Sequence, residues 1–145
     1  MKEENKTEYK MYFFSNYQFG NTQHCGIQAV HSVTEYSNKY FKTKEYQQWA
    51  TIKKSVVILN GGTTGKNSGM EARVNELNNF KIRYATFCEE DLNDAMTSIA
   101  FLLPNTIYDF DYKEYEKEVL DGYHHTSTHR HNYEVKIWLK QFKLV

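Results

Sequence analysis

Apolar residues recur along this chain with two spacings, and the change from one to the other marks the predicted strands and helices. Residues 9–15 are rich in aromatic side chains, which predicts a strand. From about Thr22 the apolar positions lie three or four residues apart, which predicts one face of a long helix. That face consists of Ala29, Val33, Tyr36 and Tyr40. Residues 44–51 predict a second, shorter helix. Its buried side consists of Tyr46, Trp49 and Ala50.

The same spacing rules predict three more strands and one more helix before residue 104. Residues 55–59 form a short β-branched apolar run, which is typical of a buried central strand. A helical spacing follows at Met70, Val74 and Leu77. Residues 82–87 and 95–103 predict two further strands, and Pro104 ends the second of them. Strands that alternate with helices predict an α/β fold, with a four-stranded mixed sheet sandwiched between helices.

The last forty residues predict a C-terminal helical extension. Residues 109–119 are acidic and rich in Tyr, which predicts a short helix. Residues 121–132 are polar and rich in His, which predicts a loop. Residues 133–144 predict a closing helix, because their apolar positions share one face. That face consists of Val135, Trp138, Leu139 and Phe142.

Length and composition restrict the classes of function. A chain of 145 residues corresponds to one domain. We place that domain at residues 9–145, with a core at 9–103, an extension at 104–145 and a disordered tail at 1–8. The formal net charge is zero, so the total charge gives no support for nucleic-acid binding and mildly favours self-association.

No segment predicts a membrane span, a disulfide or a metal site. The apolar run at residues 11–14 is too short for a signal peptide or a transmembrane helix. Cys25 and Cys88 form no metal-binding or disulfide pattern, which indicates free thiols in a reducing compartment. We therefore expect a cytoplasmic protein with no membrane partner and no bound metal.

Amide and imidazole side chains gather at the start of the first predicted helix. These residues are Gln23, His24, Gln28 and His31. Gln28 and His31 are neighbours on a helix, and His24 lies one turn before Gln28. The free backbone N–H groups of a helix N-terminus attract a phosphate or a carboxylate. The alternative is the polar edge of an amphipathic helix, with His31 hydrogen-bonded in the core.

A carboxylate-rich string precedes the last predicted strand. It comprises Glu89, Glu90, Asp91 and Asp94. A carboxylate near an imidazole acts as a general base or orients the imidazole. The alternative is the first turn of a helix, where acidic residues interact favourably with the helix dipole.

The order of these strings resembles that of the type-II peptidyl-tRNA hydrolases and their phage-encoded relatives. That family carries a Gly-Lys-(three residues)-Gln-(two residues)-His-Ala pattern on its first helix. Gln28 and His31 match the Gln and the His, whereas His24 stands where the family has Lys. The predicted order of strands and helices over residues 9–103 follows the family's order. The string Glu-Asp-Leu-Asn at residues 90–93, before Thr97, is similar to the phage branch.

The resemblance implies a substrate class and a set of site residues. The implied catalytic residues are His24, Gln28, His31, Asp91 and Thr97. Asp91 and His31 would position or activate water, Thr97 would bind the substrate, and the other two would contact the scissile group or a phosphate. Glu90 and Asn93 are implied as ligand-binding residues. The implied ligand is a peptidyl-tRNA or aminoacyl-tRNA ester, or another nucleotide-bearing molecule, and its hydrolysis requires no cofactor.

The missing Lys supports an alternative function. A neutral imidazole near pH 7 does not replace a permanent ammonium, so His24 predicts weak or absent hydrolysis. A phage protein that kept the cleft without the chemistry would bind a nucleotide, a tRNA end or a host protein in the host cytoplasm, and it would act by sequestration or inhibition. A third possibility is a structural protein that binds a partner through the Tyr-rich extension. The sequence leaves all three functions open, and it also leaves open whether the chain forms a homodimer.

Two further sets of residues are candidates for phosphate contact. The loop at residues 60–69 fails the strict phosphate-loop pattern, and we interpret it as a turn in which Lys66 and Ser68 contact a ligand phosphate. A basic stripe is predicted on the last helix by Lys136, Lys140 and Lys143. This stripe is either a solvated face or a contact for an RNA backbone. The histidines at residues 124–131 lack the spacing of a dedicated zinc site and predict a solvated loop.

Overall fold

The predicted α/β fold is confirmed by a computed structural model, which describes residues 6–19, 22–64 and 69–145. The strands are β1 (Tyr9–Asn16), β2 (Val56–Gly62), β3 (Tyr84–Glu89) and β4 (Ala95–Pro104). The helices are α1 (Thr22–Tyr40), α2 (Lys44–Thr51), α3 (Met70–Asn79), α4 (Asn105–Tyr108), α5 (Tyr112–Leu120) and α6 (Ser127–Leu139). The predicted positions of the first two helices and of the helix after the Gly-rich loop agree with α1, α2 and α3.

The sheet has the order β2-β1-β4-β3, so β1 and β4 are its central strands. β1 runs parallel to β2 and antiparallel to β4, and β3 is antiparallel to β4. β1, β2 and β3 therefore end at the same edge of the sheet, and β4 begins there. Both central strands are apolar over most of their length, because helices cover both faces of the sheet at these positions.

Alternate residues of β1 enter two separate apolar cores. Met11 and Phe13 pack with α1 and α2 on one face, where Tyr36 and Trp49 are also buried. On the other face, a second core forms against α3 and α6. Its buried members include Tyr12, Phe14, Leu77, Phe101, Val135 and Trp138. The C-terminal extension thus contributes α6 directly to the main core.

The prediction of a central strand at residues 55–59 is wrong, because β2 lies at an edge of the sheet. Its burial is partial, and the side chain of Val56 is 55% exposed. The C-terminal residues cover the open edge: the Lys143 carbonyl accepts from the Asn60 N–H at 2.9 Å, and the Val145 N–H donates to the Ile58 carbonyl at 3.0 Å. The C-terminal residues of the chain therefore satisfy the backbone of the second half of β2, whereas Val56 at its start stays exposed.

The predictions for the C-terminal loop and the last helix are also wrong at their boundaries. α6 begins at Ser127, inside the predicted loop, because the Thr126 hydroxyl caps it by accepting from the His129 N–H. The helix ends at Leu139 rather than at residue 144. Lys143 thus lies beyond the helix, and the three lysines do not form one helical stripe.

The N-terminal segment contacts the start of α4. The Glu8 N–H donates to Asn105 Oδ1 at 3.2 Å, and the Asn105 N–H donates to the Glu8 carbonyl at 2.8 Å. Residues 1–5 of the predicted tail lie outside the described residues. Of the helices in the described part of the chain, none has the length and apolar composition needed to cross a membrane.

Candidate functional site

Buried polar side chains concentrate at one end of the sheet. In the described part of the chain the buried polar residues are Ser15, Asn16, Gln28, Ser32, Thr97 and Ser98. Ser15 and Asn16 end β1, and Thr97 and Ser98 lie near the start of β4, directly alongside. Gln28 and Ser32 project from α1 onto them. A buried polar group costs free energy unless it is hydrogen-bonded. A cluster of six buried polar residues therefore indicates a hydrogen-bonded network.

The strand register shifts twice at this end. Phe87 pairs with Ser98 and Cys88 pairs with Met96, so Thr97 has no partner on β3. Ser15 pairs with Asn60 and Asn16 pairs with Gly62, so β2 also carries one unpaired residue. An extra residue in a strand turns its side chain away from the regular alternation. This shift explains how the Thr97 hydroxyl faces α1.

Gln28 links Thr97 to a carboxylate. The Thr97 hydroxyl donates to Gln28 Oε1 at 2.7 Å, and Gln28 Nε2 donates to Glu89 Oε2 at 3.4 Å. Thr97 and Gln28 are 1% and 9% exposed, so water competes weakly for these groups. The two contacts fix the orientation of the Gln28 amide, with its oxygen toward β4 and its nitrogen toward the end of β3.

Two further polar contacts hold the surrounding backbone. Asn16 Nδ2 donates to the Met96 carbonyl at 2.9 Å and to Thr64 Oγ1 at 3.2 Å, which connects the end of β1 to β4 and to the segment after β2. The hydroxyls of Ser32 and Ser98 are 2.7 Å apart and connect α1 to β4. These contacts make the end of the sheet a rigid support for the Gln28 side chain.

A narrow cleft opens beside this network, and we call it the polar cleft. It is lined by Ser15, Asn16, His24, Cys25, Gln28, Leu92 and Thr97. Its volume of about 10 Å³ is room for a single water-sized group. A larger cavity of about 450 Å³ shares Leu92 with it. That cavity is lined by Gln18, Thr64, Met70, Glu71, Cys88, Leu92, Asn93, Asp94, Ala95 and Met96.

The charge around these two cavities is acidic. Glu71 and Asp94 line the larger cavity, and Glu89 reaches Gln28 beside the polar cleft. No Lys or Arg lines either cavity within the described ranges 6–19, 22–64 and 69–145. The N-terminus of α1 supplies a positive dipole end at the polar cleft, since His24 and Cys25 lie in its first turn.

The structure brings together three of the residues that the resemblance implies as catalytic: His24, Gln28 and Thr97. His31 lies farther along α1, where its exposed ring stacks on Phe87 of β3 with a centroid separation of 4.5 Å. His31 does not line the polar cleft.

Asp91 lies outside the polar cleft. Glu90, Asp91 and Leu92 form a 3-10 turn after β3, and only Leu92 of the three lines the cleft. Asp91 and Glu90 are exposed. The carboxylate that contacts Gln28 is that of Glu89, two residues earlier. Asn93 is exposed in a left-handed conformation with φ 55° and lines the larger cavity.

Sequence reasoning missed Asn16, Ser98 and the contact of Glu89. Asn16 and Ser98 follow a recognisable pattern, because polar residues interrupt an apolar strand at the end nearest the first helix. Ser15-Asn16 ends one apolar run, and Thr97-Ser98 begins another. Pairing these two interruptions across the sheet requires the antiparallel register of β1 and β4, which the sequence pattern does not contain.

The remaining predicted ligand-binding residues lie elsewhere. Lys66 and Ser68 fall outside the described residues. The Lys136 ammonium donates to the Tyr108 carbonyl, and the Lys140 ammonium lies 3.5 Å from the centre of the Tyr112 ring. Both lysines thus hold α4 or α5 against α6. A role of these residues in binding RNA stays a prediction.

The two thiols of the chain are free and have different surroundings. Cys25 is buried in the polar cleft, and Cys88 is exposed at the rim of the larger cavity. Partial burial raises the pKa of the Cys88 thiol, and the Asp94 carboxylate raises it further. A thiol with a raised pKa is a poor nucleophile at neutral pH.

The histidines of the C-terminal extension form an aromatic stack. Tyr115 stacks on His125 at 4.1 Å and on Tyr133 at 4.2 Å, and His125 stacks on His129 at 4.9 Å. Parallel rings direct their nitrogen atoms side by side rather than toward a common point. Across the described residues, no group of three or more His, Cys, Asp or Glu side chains is placed to hold a metal ion.

Comparison of the chain with models of known protein families gives no match, and comparison with curated proteins gives none either.

Proposed function

We propose that this chain is a peptidyl-tRNA hydrolase-like protein whose polar cleft takes the ester end of an RNA-linked or nucleotide-bearing ligand. The observation that carries the proposal is the fixed Gln28 amide, held between the Thr97 hydroxyl at 2.7 Å and the Glu89 carboxylate at 3.4 Å. Gln28 and Thr97 both belong to the implied catalytic set, although they are 69 positions apart in sequence. Support also comes from the observed order of strands and helices, which is the order that the resemblance implies.

The position of the cleft fits a ligand that approaches along the sheet edge. In open α/β sheets, ligands bind outside the carboxyl ends of the parallel strands. The polar cleft lies at that end of β1, and the larger cavity adjoins it. An ester carbonyl at the cleft would accept from a side-chain donor or from the N-terminus of α1, while the bulk of the ligand would occupy the larger cavity.

Each side chain has a separate task in a hydrolytic version. Glu89 keeps the Gln28 amide in one orientation, and Thr97 keeps its oxygen occupied. With the ester carbonyl in the cleft, the attacking water lies at the rim of the cleft beside His24, and an imidazole in its neutral form accepts a proton from that water. Stabilisation of the developing oxyanion falls to backbone N–H groups of α1.

A second candidate function is ligand binding without hydrolysis. Two observations favour it: His24 stands at the position of the family's Lys, and no described Lys or Arg lines the two cavities. Without a permanent cation, stabilisation of an oxyanion in these cavities rests on backbone N–H groups alone. The same cleft would then hold a nucleotide, a tRNA end or a segment of a host protein.

A matched pair of amide substitutions tests the proposal. We expect Gln28→Ala to abolish both hydrolysis of N-acetyl-aminoacyl-tRNA and binding of that tRNA. Gln47→Ala serves as the control, because Gln47 is an exposed amide on α2. Hydrolysis that is lost in Gln28→Ala and kept in Gln47→Ala supports the hydrolase function. If the unmodified chain binds the tRNA without hydrolysing it, and only Gln28→Ala loses this binding, the result supports the function of a binding protein. Absence of both activities from the unmodified chain would refute the proposal.

Restoring the family's cation is a second test. We expect His24→Lys to raise the rate of peptidyl-tRNA hydrolysis by at least about tenfold, because a permanent ammonium stabilises a developing oxyanion better than a neutral imidazole does. His124→Lys is the control, because His124 lies in the exposed segment before α6. An equal rate in the two variants would count against an electrostatic role for position 24.

A further inference from the structure

The two edge strands of the sheet differ in whether another segment of the chain pairs with their outer side. The edge of β2 is covered by residues 143–145, through backbone hydrogen bonds to Asn60 and Ile58. β3 forms the opposite edge and pairs only with β4 in the part of the chain that the structure describes. On this outer edge the Tyr84 carbonyl accepts a long hydrogen bond from the Tyr40 hydroxyl of α1 at 3.5 Å. The edge has no strand partner among the described residues, so it can pair with another strand if that one side-chain contact is given up.

The sequence of β3 lacks the features that usually block such pairing. The strand reads Tyr-Ala-Thr-Phe-Cys-Glu, with neither Pro nor Lys, and most of these residues favour extended structure. The register shift beside β3 leaves the extra residue, Thr97, on β4. β3 itself is therefore regular along its whole length, and an approaching strand would meet an uninterrupted edge.

Symmetry restricts how two copies of β3 can pair. In an antiparallel pair, directly opposite residues point to the same face of the sheet. A two-fold axis perpendicular to the sheet keeps each side chain on the same face in both copies. Opposite residues must therefore be an even number of positions apart, and the residue on the axis lies opposite its own copy. With Thr86 on the axis, Ala85 of one copy lies opposite Phe87 of the other, and Arg83 of one copy lies opposite Glu89 of the other.

Contacts within one chain show that these four side chains share a face. Arg83 lies 3.6 Å from Glu45 of α2, and Phe87 stacks on His31 of α1. Ala85 is buried in the core beneath α1 and α2, and Glu89 reaches Gln28 of α1. Opposite charges and apolar groups therefore meet their complements in this register.

We propose that two copies of this chain associate through antiparallel pairing of β3, which places Arg83 of each copy beside Glu89 of the other. The pairing joins two four-stranded sheets into one of eight strands. It also gives the site a charge that its own chain does not supply, because Glu89 holds Gln28 and no described Lys or Arg lines the cavities there. The second copy thus contributes a guanidinium to the rim of the polar cleft.

Arg83 changes its carboxylate partner on association. Its present contact with Glu45 is exposed, with 59% and 42% of the two side chains accessible, so breaking that contact costs little. Antiparallel pairing places the Arg83 end of β3 in one copy next to the Glu89 end of β3 in the other copy, so opposite charges meet. Parallel pairing would set Arg83 against Arg83 and is disfavoured by charge.

The extent of the interface predicts a weak dimer. Pairing from Arg83 to Glu89 buries one strand edge on each copy, which is less surface than stable dimers bury. We expect dissociation in the micromolar range, roughly 1–100 μM. A formal net charge of zero does not oppose association at this concentration.

Charge reversal at Arg83, alone and combined with charge reversal at Glu89, tests the pairing through the molecular mass in solution. Sedimentation equilibrium across a concentration series should show a monomer–dimer equilibrium for the full chain. Arg83→Glu should raise the dimer dissociation constant by at least about tenfold, because two Glu–Glu contacts replace two Arg–Glu contacts. The double variant with Glu89→Arg should recover the dimer. Arg130→Glu is the matched control, since Arg130 is exposed on α6.

The outcomes separate this association from the proposed function. A chain that stays monomeric up to about 1 mM, or a dimer that Arg83→Glu leaves unchanged, would overturn the pairing. Failure of the double variant to recover the dimer, with helical content intact by circular dichroism, would overturn the stated register. Because the readout is mass, it does not depend on whether the cleft hydrolyses or binds tRNA.

Discussion

The two ends of the central strands β1 and β4 have opposite chemistry. At one end, Tyr12 stacks on Phe101 with centroids 5.7 Å apart, and Phe14 lies 5.1 Å from Phe101 and 5.5 Å from Trp138. At the other end, Ser15 lies opposite Ser98, and Thr97 donates to Gln28. The same two strands therefore carry an apolar end, built on dispersion and the hydrophobic effect, and a polar end, built on hydrogen bonds.

The difference indicates that the apolar end mainly stabilises the fold, whereas the polar end mainly fixes the positions of polar atoms. A fully buried aromatic side chain contributes several kcal/mol, whereas a hydrogen bond contributes about 1 kcal/mol net. The polar end thus gains little stability from its six buried polar residues. Its hydrogen bonds instead hold particular atoms in fixed positions, as the binding site that we propose requires.

The apolar end should show the largest loss on truncation. We expect Phe101→Ala to lower the free energy of unfolding by about 3–5 kcal/mol, because the removed ring leaves a cavity among Tyr12, Phe14 and Trp138. Phe41→Ala is the control, since Phe41 is 48% exposed. Urea denaturation measures both values. A difference below about 1 kcal/mol between the variants would contradict the assignment of the apolar end.

The buried phenol of Tyr12 makes the apolar end sensitive to alkali. Burial, with smaller contributions from the nearby Tyr108 and Asp109, raises the pKa of Tyr12 to about 12. The folded chain keeps this proton where the unfolded chain releases it, so the stabilising contribution is complete below pH 10 and is lost as pH rises to about 12.

The expected loss from this one group is on the order of 2 kcal/mol between pH 10 and pH 12. Tyr12→Phe should remove that part of the pH dependence, whereas Tyr17→Phe should not, because Tyr17 is 62% exposed. Denaturant unfolding at a series of pH values provides the measurement. Identical pH profiles for the two variants would show that the Tyr12 phenol is not the group responsible.

Gly61 lies where the two ends meet, and its substitution should have an intermediate effect. A Cβ at this position would lie 2.7 Å from Met70 Sδ and 2.8 Å from Phe14 Cβ. We expect Gly61→Ala to cost roughly 1–3 kcal/mol of stability through overpacking. Gly26→Ala in α1 meets no atom within 4 Å and should stabilise the chain by about 0.5–1 kcal/mol. Opposite signs in thermal unfolding are the diagnostic result, and two losses of equal size would argue against close packing at Gly61.

The polar end should show the smallest loss of stability. We expect Thr97→Val to cost about 1 kcal/mol, because the Gln28 Oε1 atom loses its donor while the volume is kept. Thr97→Ser keeps the hydroxyl and should leave the side-chain amide resonances of Gln28 in place. Heteronuclear NMR of the two variants separates loss of the hydrogen bond from loss of packing. Unchanged Gln28 resonances in Thr97→Val would show that this contact does not orient the amide.

The sequence by itself determined most of the local elements, because their periods are short-range properties. α2 and α3 occupy the predicted segments, since apolar positions three or four residues apart define a helix face regardless of the rest of the chain. The approximate positions of the four strands followed in the same way. The ends of the elements depend on capping contacts as well as on the apolar period. α6 begins after the Thr126 cap, within a polar stretch whose composition predicted a loop.

Only the tertiary structure decided which strands are central and which polar atoms meet. The apolar run of β2 satisfied the pattern of a central strand, but a C-terminal segment more than eighty positions away covers its edge. Likewise, Asp91 and Glu89 are equivalent as sequence, and the 3-10 turn after β3 leaves only Glu89 within reach of Gln28. A single unpaired residue at Thr97 sets the direction of its hydroxyl. Strand order, register and turn geometry arise from contacts between distant segments, and these contacts assembled the polar cleft.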